Sequence, residues 1–343
     1  MVSIDINHSG LISAVCAMIA GGGTALLAFW RLLRALLGTN SRITLNEKHC
    51  FVTGGSSGIG KEVAKQMVRE GAHITIAARK QATLDDTMVE LEACRISPDQ
   101  MIQSVSVDVG DPAAVEKATA DAVAKQGTVQ ILANCAGFAI AREMEETSAA
   151  DMERILRVNT LGTAYVTRAL LSDMKAAGSG RILFTSSVVG QIGVYGYTAY
   201  AASKFALVGM AQALQMEVKA YGIGVCVAYP PDTDTPGYAR ESVGKPESTR
   251  LIEEGGGMFS PAQVAAKIVQ GLKAGDFCIT VGLEGFFVGL GTAGFSPCFS
   301  VFDATFQVLL SSVLRAAAFL FNNKFYSIAA REKRKRGAER APR

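Results

Sequence analysis

Metal ligands and charge are both scarce in this chain. Its 343 residues include only three histidines, widely separated, and none of the seven cysteines (Cys16, Cys50, Cys94, Cys135, Cys226, Cys278, Cys298) forms a C-x-x-C pair. That scarcity argues against a zinc site, and an odd, scattered set of thiols points to a reduced, cytosolic setting. Asp, Glu, Lys and Arg make up 19% of the residues and sum to +3, too little to argue for a nucleic-acid partner. No internal repeat is visible. What is abundant is apolar: 49% of the residues are hydrophobic, with mean hydropathy +0.24. The length suits one large α/β domain with appendages, and the composition calls for membrane contact.

Two stretches answer that requirement. Residues 11–30 form an uncharged apolar run followed by Arg31, Arg34, Arg42 and Lys48. About 20 apolar residues cross a bilayer as a helix, and the basic flank places the following domain in the cytosol. Asp5 in place of a basic leader, and no small-x-small cleavage site before the arginines, favour an uncleaved anchor over a signal peptide. Near the other end, residues 285–302 and 304–321 are apolar but interrupted by glycines, Pro297 and Arg315. A membrane hairpin, a re-entrant segment, a lipid-facing surface and a dimer interface all stay open there, and with them a homo-oligomer. The basic tail from Arg331 reads as a solvated, disordered segment suited to anionic lipid.

Between these stretches, β-branched runs at 50–53, 73–78, 102–109, 130–134, 181–186, 225–229 and 277–281 alternate with amphipathic segments at 60–70, 112–125, 151–176, 199–220 and 261–273. Such alternation predicts an α/β fold with a doubly wound parallel sheet of Rossmann type. Residues 230–258, with four prolines and a triple glycine, read as a long functional loop. The expected organisation is an anchor and linker at 1–46, a catalytic domain at 47–282, a membrane-associated region at 283–325 and a basic cytosolic tail at 326–343.

The chemistry sits in this middle region. Gly54, Gly58 and Gly60 follow the first strand and open a helix, in the string Thr53-Gly54-Gly55-Ser56-Ser57-Gly58-Ile59-Gly60. Glycines let the backbone approach a dinucleotide pyrophosphate, and the helix N-terminus supplies N–H donors. Ser56 and Ser57 add hydroxyls. After the second strand no acid is present, and Arg79, followed by Lys80, stands where a guanidinium clamps a 2′-phosphate, which selects NADPH. Asp108 is placed to accept from the adenine amino group, and Asn134-Cys135-Ala136-Gly137 packs against the adenosine ribose. Tyr200 and Lys204 lie four apart, on one face of a helix; an ammonium there is expected to depress the phenol pKa toward that of a working acid. Tyr195, Tyr197 and Tyr221 have no lysine at that spacing. Ser186 and Ser187 end the fifth strand, where a hydroxyl can bond a substrate carbonyl. Asn159 is a poor helix former within a predicted helix, expected to kink it and hold a relay water near Lys204.

Taken together, the T-G-x-x-x-G-x-G turn, N-C-A-G, the mid-chain asparagine, the paired serines and Y-x-x-x-K resemble the short-chain dehydrogenase/reductase family over roughly residues 48–281. The resemblance implies proton donation by Tyr200, pKa depression and nicotinamide-ribose binding by Lys204, carbonyl positioning by Ser187, with Ser186 in reserve, and water anchoring by Asn159. The family's basic residue four after the strand-two arginine is Thr83 here, which leaves Lys80 to compensate. Within the family, Leu214–Lys219 and the Pro230-Pro231-Asp232-Thr233-Asp234-Thr235-Pro236 string resemble the branch in sphingolipid biosynthesis. That branch sits in the endoplasmic reticulum membrane with its active site facing the cytosol. It implies a long-chain 3-keto sphingoid base as substrate, with Asp232 and Asp234 pairing its ammonium. A microsomal steroid or retinoid dehydrogenase, and a non-catalytic binding protein on the same fold, are the rival readings.

Overall fold

The structure is a computed structural model that describes residues 42–340, with side chains to 336; the expected anchor at 11–30 lies outside the described residues. Seven parallel strands run β1 (His49–Thr53), β2 (His73–Ala78), β3 (Ile102–Ser106), β4 (Ile131–Asn134), β5 (Gly180–Thr185), β6 (Ile223–Tyr229) and β7 (Cys278–Thr280). Their spatial order is β3-β2-β1-β4-β5-β6-β7. Helices joining parallel strands must cross over a face, so β1, β4, β5 and β6 are covered on both sides and are buried along their whole length.

One face is covered by α1 (Gly58–Arg69) and α9 (Pro261–Ala274), whose Val63, Met67, Val264 and Ile268 pack against Ile74 and Cys226 of the sheet. The other carries α3 (Pro112–Gln126), α5 (Thr163–Ala177) and α6 (Thr198–Val218), packed through Val115, Leu170 and Leu207 on Phe51 and Phe184. Capping agrees with these boundaries. Asp111 accepts from Ala113 and Ala114 ahead of Pro112, and Ser260 forms a capping box with Gln263, arrangements that satisfy otherwise orphaned N–H groups.

Four details differ from the sequence reading. Strand β3 ends at Ser106, so Asp108 lies in the turn beyond it. A helix, α2 (Gln81–Glu92), fills a stretch with little apolar periodicity, burying only Leu84, Thr87 and Leu91. The 230–258 segment holds two short helices, α7 (Pro236–Glu241) and α8 (Glu247–Glu253); Pro236 starts α7 and Pro246 caps α8, because proline suits a first turn whose N–H groups have no partner. The basic tail is not a disordered segment in its described part: α11 (Val301–Arg340) runs through it, following the short apolar helix α10 (Gly282–Gly291). Where a kink at Asn159 is expected, the helix departs from α geometry in a π-helical turn over Arg157–Gly162, between α4 (Ala149–Leu156) and α5.

Candidate active site

Open α/β sheets gather ligands at the carboxyl ends of their strands, where the strand order reverses. Here β1 lies between β2 and β4, and the glycine turn leaves β1 at that point. Gly54 has φ +66°, and a Cβ on it would come within 2.8 Å of the Ala136 backbone; one on Gly60 would strike the Gly54 carbonyl. Thr53 fastens the two loops, its Oγ1 accepting from the N–H groups of Cys135 and Ala136 at 3.1 Å each. The turn is therefore closed on its inner side and open outward, at the N-terminus of a twelve-residue helix.

Among the described residues, the side chains of Ser56, Ser57, Arg79 and Lys80 make no hydrogen bond or ion pair, and Arg79 and Lys80 are exposed. These donors, with the cradle a Cβ would fill, fit a dinucleotide. Asp108 is exposed and offers one carboxylate oxygen, the other accepting from Gly110 N–H at 2.9 Å. Asn134 does not face the cleft. Its Nδ2 donates to Thr167 of α5 at 3.2 Å, because the last residue of β4 points its side chain beneath the sheet; any part it plays in the cleft is through its backbone.

Ser187, beyond the end of β5, and Tyr200 and Lys204 of α6 converge on a cavity of about 170 Å³, which Asn159 of the π turn does not line. Tyr200 and Lys204 share a face of α6 as expected, with Nζ 5.6 Å from the centre of the phenol ring. Lys204 is buried and donates to the Thr185 carbonyl at 2.8 Å. Burial lowers its pKa to about 8. The expected depression of the Tyr200 pKa is not found in the protein alone. Burial, then the negative charge of Glu241, pushes it well above the ordinary phenol value, only partly offset by a hydrogen bond with Ser187. Desolvation acts on both partners, and the ammonium points at Thr185 rather than at the phenolic oxygen. A raised pKa keeps the phenol protonated, which is the form that donates.

The two serines separate clearly. Ser187 reaches the Tyr200 phenol and accepts from Val189 N–H, whereas the buried Ser186 spends its hydroxyl on the Lys204 carbonyl at 3.0 Å, fastening α6 to β5. Asn159 is fully buried, with Oδ1 accepting from Phe138 N–H and Nδ2 donating to Phe138 O and Ser203 Oγ. Its amide thus fixes the loop after β4. It still stands beside Lys204: a side chain on Gly137 would meet Asn159 Oδ1 at 3.1 Å and Lys204 Nζ at 3.4 Å.

The opposite wall of the cavity was not foreseen. Tyr197, passed over for lack of a lysine at i+4, packs its ring 5.6 Å from Tyr200, and its hydroxyl lies between the Glu241 and Glu253 carboxylates with one proton to share. Lys245, almost wholly buried, pairs with the same two carboxylates at 3.1 and 2.7 Å. Asp232 lines the cavity with no hydrogen bond or ion pair to its carboxylate among the described residues. Burial, then the Glu253 charge, raises its pKa to about 7. Asp234, two residues on, is exposed and outside the lining. Residues two apart in a straight extended segment would share a side; the chain bends at Asp232, and the two acids part there. A sequence signal existed for Tyr197, at i−3 from Tyr200, and for the i,i+4 pair Glu241 and Lys245; Glu253 is joined to them only by the fold.

Residues 48–244, more than half of the chain, match the short chain dehydrogenase family. The chain is 43% identical over 290 residues to the 3-dehydrosphinganine reductase of Danio rerio, covering 84% of this chain and 87% of that one. It is 42% identical, with the same coverage, to the 3-ketodihydrosphingosine reductase of Bos taurus. A protein of the latter name in Dictyostelium discoideum is 36% identical over 295 residues, 82% of this chain and 87% of that one. Among solved structures, levodione reductase superimposes with TM-score 0.61 at 24% identity, covering 67% of this chain and 91% of its own; that likeness concerns the fold.

Proposed function

The chain belongs to the short chain dehydrogenase family, as an oxidoreductase of the ketone–alcohol pair with a nicotinamide cofactor, and from that premise we propose that it reduces 3-ketosphinganine to sphinganine with NADPH. One observation carries the substrate. Tyr200, Ser187 and Asp232 line the same small cavity, and Asp232 is the carboxylate there that Lys245 does not pair. The substrate's ammonium sits on the carbon next to the ketone, so an acid is wanted beside the proton donor. Steroids and retinal carry no such charge. The relatives bearing the sphingoid name support the same reading.

Bound NADPH supplies a hydride to the ketone carbon. Gly54, Gly58, Ile59, Gly60, Ser56 and Ser57 would hold its pyrophosphate, Arg79 and Lys80 its 2′-phosphate, and Asp108 its adenine. Ser187 donates to the ketone oxygen and holds it toward Tyr200. Tyr200 gives its phenolic proton as negative charge develops on that oxygen, and Lys204 stabilises the phenolate left behind. Asp232 pairs the ammonium. We assign the catalytic domain to the cytosolic face of the endoplasmic reticulum; the long apolar helix α11 supports the membrane association in that assignment.

In vesicles holding the purified full chain, 3-ketosphinganine should drive NADPH oxidation and yield sphinganine. Turnover of a steroid ketone or retinal, with none of the amino ketone, would reject the assignment.

A further inference from the structure

Composition and attachment disagree in α11. Within Val301–Arg336 an eighteen-residue window reaches mean hydropathy 1.6 with 11% of it buried, as a membrane span would. A span, however, delivers its two ends to opposite sides of about 30 Å of hydrocarbon. Both ends of α11 are fastened to one domain.

At its start, Ala304 and Thr305 are buried and Phe306 packs edge-on against Phe286 of α10. The preceding turn is tied to α6 and the residues after it: Gln212 donates to Ser296 at 2.9 Å, and Lys219 lies 4.3 Å over Phe299. At its far end Glu332 is buried and Arg336 donates to Glu143 at 2.6 Å, and α11 also packs on α8. At 1.5 Å per residue these attachments are about 50 Å apart along the helix. Between them Leu310, Leu314, Phe325 and Ile328 are partly covered, at spacings of four, eleven and three that keep to one helical stripe. Phe302, Leu309, Val313 and Leu320, at steps of seven, four and seven, share another face and are each more than half exposed, Leu320 by 71%.

We propose that α11 lies in the plane of the membrane interface as a strap, with the Phe302–Leu309–Val313–Leu320 face in lipid and both ends on the cytosolic side, and does not cross the bilayer. Charge complementarity selects a bilayer as the occupant. The apolar stretch passes directly into Arg331, Lys333, Arg334 and Lys335, which suit anionic head groups, and an apolar face over a basic end is the pattern of in-plane helices. On the reading of the cavity given above, the strap also sets the site beside lipid, since α8, on which it rests, carries Glu253.

The test is cysteine accessibility in microsomes containing the full chain, using a membrane-impermeant maleimide and counting labelling above that of the parent protein. Thr292→Cys and Lys333→Cys mark the two ends, and Leu320→Cys marks the outward face; each variant is first shown to bind nicotinamide cofactor as the parent does. Both end positions should label equally before and after detergent, and Leu320→Cys at least about fivefold more after it, as expected of a buried apolar face. Labelling of one end only after permeabilisation means a span and overturns the proposal. Full labelling of Leu320→Cys in intact microsomes puts that face in water and also overturns it. Protection that survives detergent means a protein cover, residues 1–41 or a second copy, and does the same. None of these outcomes depends on which ketone is reduced.

Discussion

The two walls of the active-site cleft are built on different principles. On the cofactor side, the β1–α1 turn is shaped by backbone: glycines at 54, 58 and 60, a helix N-terminus, and a Thr53 bridge to the β4 loop. Its outward side chains, Ser56, Ser57 and Arg79, have no partners among the described residues. On the substrate side the side chains are interlocked. Tyr197, Glu241, Glu253 and Lys245 hold α7 and α8 to α6, and Arg336 holds α11 to Glu143. A pyrophosphate asks for N–H groups and room, which backbone supplies. A particular ketone asks for charges in particular places, and buried charges persist only when paired. Asp232 is the exception within its wall, which is why it is assigned to a ligand.

Three substitutions would break or sharpen this contrast. The largest effect is expected at the junction of the walls: Tyr200→Phe removes the proton donor and should lower kcat about a thousandfold, while leaving cofactor affinity, read by fluorescence titration, close to the parent's. Retained turnover would remove Tyr200 from the reaction. Next, Arg79→Glu acts on the cofactor wall alone. Losing charged hydrogen bonds worth about 1.5–3 kcal/mol should shift the ratio of kcat/KM for NADPH over NADH by roughly tenfold to a hundredfold, with KM for the ketone unmoved; an unchanged ratio would clear Arg79 of the 2′-phosphate. The smallest is Asp232→Asn on the substrate wall. It should raise KM for 3-ketosphinganine by about tenfold, the low end of the coupling between close charges across an interface, and leave KM for the same ketone lacking the amine unchanged. Equal rises for both ketones would make Asp232 structural.

Much of the cofactor wall was legible because its determinants are local. A glycine turn after a β-branched run and Tyr200 with Lys204 at i+4 declare themselves within a few residues. So did the helix irregularity at Asn159, which is a π-helical turn. The substrate wall was less legible. Pro236 and Pro246 suggested loop because proline ends helices in mid-course, yet here they stand at helix starts. The basic tail read as free because its charge is solvated, while its fastening to Glu143 joins residues 193 positions apart.

From the residues alone came the parallel α/β sheet, the dinucleotide turn and the tyrosine–lysine pair, since the periods of strand and helix and the steric freedom of glycine act over short distances. Only the folded chain decided that Ser186 is spent on the Lys204 carbonyl, that Asp232 faces the cavity and Asp234 does not, and that burial raises the phenol pKa where the lysine was expected to lower it. Those outcomes depend on burial and on charges brought from distant segments, and desolvation is a property of the surroundings that no residue carries by itself.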